Sequence, residues 1–241
     1  MMVKELMPFL REYFFPYGCS LCGKNLLDAK ETLYGLCLDC YESIEKDFLE
    51  NRTENICNYC GKPLISELDK CLSCRNTENY SFDKADVLFP YTGKYQRLLL
   101  AYKFQKNIVL GNFFAEKIKN LINKYTLISD TAIVPVPPKP GKIRKTGWDQ
   151  VEYIAKILER EKNIPNVNRC LKRLTSKSQK ELSRENRRMN LRGRIIAKKS
   201  VPQNAILIDD VMTTGSTLDA CAAALKEAGT QNVYCVCFFY D

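Results

Sequence analysis

Eight of the chain's 12 cysteines lie before residue 75, in four Cys-x-x-Cys pairs: Cys19/Cys22, Cys37/Cys40, Cys57/Cys60 and Cys71/Cys74. The pairs form an internal repeat. Cys19-Ser-Leu-Cys22-Gly-Lys-Asn-Leu-Leu aligns with Cys57-Asn-Tyr-Cys60-Gly-Lys-Pro-Leu-Ile, and Cys37-Leu-Asp-Cys40 aligns with Cys71-Leu-Ser-Cys74. Each copy is knuckle, loop, knuckle. A Cys-x-x-Cys turn puts two thiolates on one edge of a tetrahedron, and the glycine after it allows the tight turn. Two such turns complete a closed four-thiolate zinc site with no open position for catalysis. The gaps between knuckles are 14 and 10 residues, suited to zinc. Sequential pairing, one zinc per copy, is expected because the repeat unit already holds four ligands. A cross-brace, joining the first knuckle to the third, is the alternative. Disulfides fit poorly with a chain that lacks a secretion signal, and cluster-binding runs show closer, unequal spacing. The other four cysteines, Cys170, Cys221, Cys235 and Cys237, sit in apolar runs and are expected to be small buried hydrophobes.

The chain has no histidine, so no Ser-His-Asp or Cys-His nucleophilic site is possible. Any metal must be held by cysteine or oxygen ligands. No apolar run is long enough to span a membrane. Residues 1–17 carry Lys4, Glu5, Arg11 and Glu12 among their apolar residues and lack the pattern of a signal peptide, so a cytoplasmic location is expected. The net charge of +9 is uneven: 139–199 hold 19 basic and 6 acidic residues, a net of +13, and the remainder sums to −4. A segment of that kind attracts phosphate-rich partners.

Beyond Cys74, residues 75–80 read as a linker. Strands are expected at 85–91, 131–136, 205–208 and 233–239, with a short one at 167–171. Helices are expected at 94–104, which reads as buried, and at 112–124, 149–161 and 216–228. Alternating strands and helices, with nearly all-apolar strands, imply an α/β fold with a parallel sheet covered on both faces.

The most informative stretch is Ala205-Ile-Leu-Ile-Asp209-Asp210-Val-Met-Thr213-Thr214-Gly215-Ser216-Thr217-Leu218. An apolar strand ends in two carboxylates, and a hydroxyl- and glycine-rich loop then opens a helix. Parallel sheets bind ligands at the carboxyl ends of their strands. A helix N-terminus offers N–H donors and the positive end of a dipole to a phosphate, and Gly215 lets backbone approach closely. Adjacent carboxylates accept bonds from sugar hydroxyls or hold a hydrated Mg²⁺.

This string resembles the phosphoribosyl-pyrophosphate (PRPP) signature of type I phosphoribosyltransferases. The resemblance implies that Asp209 and Asp210 act on the ribose 2′- and 3′-hydroxyls as the catalytic carboxylates, and that Thr213, Thr214, Gly215, Ser216 and Thr217 take the 5′-phosphate. Val134-Pro135-Val136-Pro137-Pro138-Lys139 looks like the pyrophosphate loop of amidophosphoribosyltransferase-like members, with Pro137, Pro138, Lys139, Arg144 and Lys145 at the pyrophosphate. The whole layout resembles the ComF family, known from natural competence. Lys145-Thr-Gly147-Trp148-Asp149-Gln150 resembles its Arg-Gly-Phe-Asn-Gln segment, and Arg173, Thr175, Gln179, Leu182, Arg187 and Asn190 follow a further pattern of that family. Tyr102-Lys103-Phe104 resembles its early Lys-aromatic motif. Thr146, Trp148 and Asp149 depart from it, standing where Arg, Phe and Asn are usual.

The resemblance implies a type I phosphoribosyltransferase fold over 81–241, preceded over 1–80 by an N-terminal helix and a double zinc-ribbon module. The expected cofactors are two structural zincs and Mg²⁺ with PRPP. The expected activity is Mg²⁺-dependent pentosyl transfer from PRPP to an acceptor the sequence does not reveal, in the service of DNA uptake. Arg184, Arg187 and Arg188 are expected as lid cations over the pyrophosphate or as nucleic-acid contacts. The competing reading is a non-catalytic single-stranded DNA binder that meets a DNA-uptake helicase or other competence proteins. A PRPP sensor is a third reading, by fold analogy alone. Trp148 is expected to pack rather than stack on a base.

Overall fold

The apolar run 205–208 does form a strand, and it continues through both carboxylates. The computed structural model describes residues 18–50, 56–64, 69–75, 80–125, 129–175, 193–198 and 200–241. In chain order its helices are α1 (Ala29–Tyr34), α2 (Leu38–Glu50), α3 (Leu72–Arg75), α4 (Gly93–Lys103), α5 (Leu110–Ile122), α6 (Lys142–Thr146), α7 (Gln150–Leu158) and α8 (Ser216–Glu227). Its strands are β1 (Lys84–Pro90), β2 (Thr131–Pro135), β3 (Leu171–Arg173), β4 (Ile195–Ala197), β5 (Asn204–Met212) and β6 (Asn232–Tyr240). Packing separates the described residues into two units, one drawn from 1–51 and 92–113, the other from 52–91 and 114–241. This grouping by contact is distinct from the sequence division proposed at residue 80.

The first unit is built on the first cysteine repeat. Asp28 caps α1 by accepting from the Glu31 N–H, and Glu31 accepts from the N–H groups of Leu27 and Leu38. Gly35 ends α1 in the left-handed conformation, φ 66°. Asn107 donates to Ser20 Oγ at 2.9 Å, and Lys94 and Tyr95 of α4 both bond the Asp47 carboxylate at 2.8 Å. Those two bonds hold the Asp47 carboxyl below its ordinary range. Helix α4 buries Leu98, Leu99, Ala101 and Tyr102 but leaves Phe104 70% exposed, so the expected buried helix is amphipathic.

The second unit carries a four-stranded parallel sheet in the order β1-β6-β5-β2, with helices packed on it. It is the expected α/β architecture, a parallel sheet flanked by helices. Strand side chains alternate between the two faces. On one face Ala205, Leu207, Val233, Cys235 and Cys237 join Leu218, Cys221, Ala222 and Leu225 of α8 in one buried cluster. Cys57, Cys60, Cys71 and Cys74 belong to the same cluster. Elsewhere Phe114 of α5 stacks on Phe238 at 5.6 Å. Cys170, Cys221, Cys235 and Cys237 are all buried thiols, as expected, and burial raises each above the usual thiol range. The short strand expected at 167–171 resolves into two features. Val167 makes one parallel bridge to Ile133, and Leu171–Arg173 pairs antiparallel with β4 as a separate hairpin. No helix among the described residues is long and apolar enough to cross a membrane.

The second cysteine repeat meets the outer side of β1. The Ala85 N–H donates to the Tyr59 carbonyl at 3.0 Å. A Cβ on Gly61 would lie 2.4 Å from the Ala85 carbonyl oxygen, and Gly61 has φ +69°. Gly23, its counterpart in the first repeat, has φ +77° with nothing within 4 Å of a built Cβ. Denaturant unfolding of the zinc-loaded protein should therefore separate them. Gly23→Ala should cost about 1 kcal/mol for the left-handed backbone alone, and Gly61→Ala about 2–4 kcal/mol because overpacking adds to it. Equal losses would refute the close approach to β1.

Candidate functional site

The structure brings each set of four thiols together as the repeat predicts: Cys19, Cys22, Cys37 and Cys40 in one group, Cys57, Cys60, Cys71 and Cys74 in the other. The grouping is sequential, not cross-braced. Within each group all ligand atoms lie within 4.8 Å of one another. Cys22 and Cys37 Sγ are 3.5 Å apart, and Cys60 and Cys71 Sγ 3.7 Å. A tetrahedron with Zn–S bonds of ~2.3 Å has S···S edges of ~3.8 Å. Four soft donors at that spacing fit a closed structural zinc site.

The backbone repeats along with the ligands. Cys19 N–H donates to the Lys24 carbonyl at 2.7 Å and Cys57 N–H to that of Lys62 at 2.8 Å. Gly23 and Gly61 N–H groups donate to the carbonyls of Cys19 and Cys57, both at 2.9 Å. Ser20 N–H reaches Gly35, and Asn58 N–H reaches Asp69, across the loop. The first thiol of each copy is shifted alike. Burial pushes the Cys19 thiol up, but bonds from the backbone of Cys22, Cys37 and Leu21 together bring it down to about 7. Cys57 behaves alike, at about 7, through Cys60, Cys71 and Tyr59. Cys60 is raised, first by its side-chain bond to Cys74 and then by burial. The copies differ in exposure: Cys22 is exposed and Cys40 half-buried, whereas all four thiols of the second group are buried.

The second feature lies at the carboxyl end of the sheet. Strands β2 and β5 pair in parallel with Pro135 opposite Ile208, and the Val136 N–H donates to the Ile208 carbonyl at 3.0 Å. Residues 136–139 therefore start beside Asp209. From β5 the chain runs through α8 to β6 on one side. From β2 it runs through α7 to Val167 on the other. Neighbouring strands whose chains depart in opposite directions open a crevice, the usual ligand site of such sheets.

Each expected site residue of the described chain lies around that crevice or its loops. Asp209 is buried and Asp210 half-buried, and the Asp210 N–H donates to Asp209 Oδ1 at 2.8 Å. Thr214 Oγ1 and Ser216 Oγ bond at 2.7 Å. Gly215, φ +69°, turns the chain into α8 as its N-cap and brings no capping side chain, while the Ser216 N–H reaches Thr214 Oγ1 at 3.4 Å. Asp209 and residues 211–218 line a small pocket of about 30 Å³. On the other loop Pro137 is buried, Pro138 half-buried, and Lys139, Arg144 and Lys145 are exposed. A cavity of about 540 Å³ there is lined by Lys139, Lys142, Arg144, Lys145 and Thr146 among others. Lys142 pairs with Asp149 at 2.5 Å, and Asp149 also caps α7 by accepting from Val151 and Glu152. Thr146 Oγ1 lies 2.9 Å from the Lys142 carbonyl and 2.8 Å from that of Trp148, so its one O–H is satisfied within the turn. Trp148 packs edge-on to Tyr153 at 6.3 Å. Arg184, Arg187 and Arg188 lie outside the described residues, as do Gln179, Leu182 and Asn190.

A second cavity, about 430 Å³, adjoins through Lys139 and Pro140 and is lined by Arg173, Leu174, Thr175 and Arg194. Sequence reasoning did not place Arg173 or Arg194 at a site, because nothing local shows that the β3–β4 hairpin brings them together. The described carboxylates of the basic segment are already engaged: Asp149 with Lys142, Glu152 and Glu159 with Arg169, Glu161 with Lys119. Among the described residues Lys139, Arg144, Lys145, Arg173 and Arg194 have no carboxylate partner.

Two four-thiol groups of zinc-ribbon type, and a parallel α/β sheet with an acidic pair and a hydroxyl loop at its crevice, define the class of protein. No protein-family model matches the chain. It is 30% identical over 229 residues to competence protein F of Haemophilus influenzae, covering 91% of this chain and 95% of that protein. It is 26% identical over 229 residues to competence protein ComFC of Streptococcus pneumoniae (89% and 96% covered). The ComFC protein of Bacillus subtilis is 25% identical over 200 residues (79% and 78%). The chain belongs to the ComF family.

Metal analysis of a double variant checks the sequential grouping. Cys19→Ser/Cys37→Ser removes two ligands of one site, so the protein should keep about one zinc per chain of an original two. A cross-brace would place those residues in different sites, and both zincs would go.

Proposed function

We propose that the protein binds PRPP with Mg²⁺ at the β2/β5 crevice and serves natural competence, transferring the 5-phosphoribosyl group to an acceptor. The observation that carries the reading is the juxtaposition of two phosphate-suited loops on neighbouring strand ends, with the acidic pair beside them. The glycine-capped start of α8 and the Thr214, Ser216 and Thr217 hydroxyls suit the 5′-phosphate. Lys139, Arg144 and Lys145 suit the pyrophosphate, whose negative charge grows as its bond to ribose C1 breaks. Asp209 and Asp210 would accept from the ribose hydroxyls, and their oxygens are hard donors of the kind that hold Mg²⁺. When bound, Mg²⁺ would neutralise pyrophosphate charge. The relatives' names supply the competence role, and a cytoplasmic setting suits both PRPP and reduced thiols.

Calorimetric titration of PRPP with Mg²⁺ tests this. Asp209→Asn/Asp210→Asn should weaken binding by at least about a hundredfold, from loss of charge-assisted hydrogen bonds. Arg144→Glu/Lys145→Glu should weaken inorganic pyrophosphate binding and spare ribose 5-phosphate. Folded wild type that binds none of these would refute the reading.

The cations Lys139, Arg144, Lys145, Arg173 and Arg194, which meet no carboxylate among the described residues, and the net +13 segment favour a second reading, single-stranded DNA binding that uses the fold as scaffold. Affinity for an oligothymidylate would then fall with salt at a log–log slope of about −0.7 per phosphate contacted. It would also survive Asp209→Asn/Asp210→Asn. A flat salt profile would exclude it.

A further inference from the structure

Residues 80–85, on the way into β1, are tied to the phosphate-suited loop and to the second cysteine site at once. The Tyr80 hydroxyl donates to the Thr214 carbonyl at 3.2 Å. Its ring lies where a side chain on residue 215 would be, with Cε1 3.1 Å from a Cβ built on Gly215. The Ser81 N–H donates to the carboxylate of Asp219, fully buried in the first turn of α8, at 2.7 Å. Asp83 accepts from the Val233 N–H at 2.7 Å and pairs with Lys226 at 2.8 Å. At the other end, Tyr80 stacks on Phe82 with ring centroids 4.5 Å apart and planes 14° apart. Phe82 is 2% exposed and lies in the same buried cluster as Cys57, Cys60, Cys71 and Cys74, and Tyr80 packs against that cluster.

We propose that Tyr80 is a positioning residue for the 213–217 loop, held in place through Phe82 by the second four-cysteine site. The inference rests on the reading of that loop as the 5′-phosphate site. The Thr214 carbonyl and the Gly215 N–H share one planar peptide. Fixing the carbonyl with the Tyr80 hydroxyl therefore fixes the direction of that donor before a ligand arrives. Preorganised donors bind an anion more tightly than donors that must be ordered first. The flat ring also limits the space behind Gly215, so the left-handed turn is held from outside. In this arrangement the second zinc ribbon is a rigid mount for the loop.

The experiment is calorimetric titration of ribose 5-phosphate, and separately of inorganic pyrophosphate with Mg²⁺, into zinc-loaded wild type, Tyr80→Phe, Tyr80→Leu and Phe82→Leu. Tyr80→Phe keeps the ring and removes one neutral hydrogen bond, so ribose 5-phosphate should bind about three- to tenfold more weakly. Tyr80→Leu removes the ring as well and should cost at least about thirtyfold, with Phe82→Leu between the two. Pyrophosphate affinity should stay within about twofold throughout, since its loop follows β2. Equal weakening of both ligands would mean a general folding role and overturn the inference. Unchanged ribose 5-phosphate affinity in all three variants would overturn it too. Wild type that binds pyrophosphate but not ribose 5-phosphate, or neither, would overturn the phosphate-site reading and this inference with it.

Discussion

The parallel pairing of β5 with β2 is the constraint on which the candidate site depends. Pro135 stands opposite Ile208, so the chain after β2 and the acidic pair on β5 emerge together. A slip of one residue would exchange the faces on which the strand side chains lie and would move Asp209 relative to 136–139. The register is secured by burial, since Ile133, Val134, Ile206, Leu207 and Ile208 are each fully buried. Hydrophobic packing thus sets the spacing of polar groups that make no contribution to the core.

The two cysteine repeats share backbone bonds and a lowered first thiol but have different surroundings. The first shows Cys22 to solvent and packs with α1, α2 and α4 in its own unit. The second is buried among the side chains of α8 and the sheet. One sequence device serves once beside helices in one unit and once within the sheet core of the other. In small modules a metal supplies cross-linking that apolar burial cannot. In the second copy the thiols serve as both ligands and buried apolar surface.

The repeat made both metal groups legible, because aligned copies with four ligands each define sequential sites. The strand, acidic pair, hydroxyl loop and helix at 205–228 were legible for a similar reason: the chemistry is contiguous in sequence. Tyr80 was not, since its partners Thr214 and Gly215 lie more than a hundred residues away and nothing in 75–80 marks an anchor. The β3–β4 hairpin was missed because three-residue strands are too short to show alternation, and 174–194 separate them. Phe104 was misjudged from apolar content: helix α4 ends at Lys103, and Phe104, the residue that follows it, is exposed.

Both outer sides of the sheet are engaged by irregular chain. Tyr59 of the third knuckle takes the Ala85 N–H of β1, and 166–168 exchange two backbone bonds with Ile133 of β2. Unpaired strand edges are templates for joining another molecule's strand. Part of the knuckle's value therefore lies in keeping copies of the protein apart. Loosening the second cysteine group would withdraw the Tyr59 carbonyl from the Ala85 N–H and leave that stretch of β1 as an open edge.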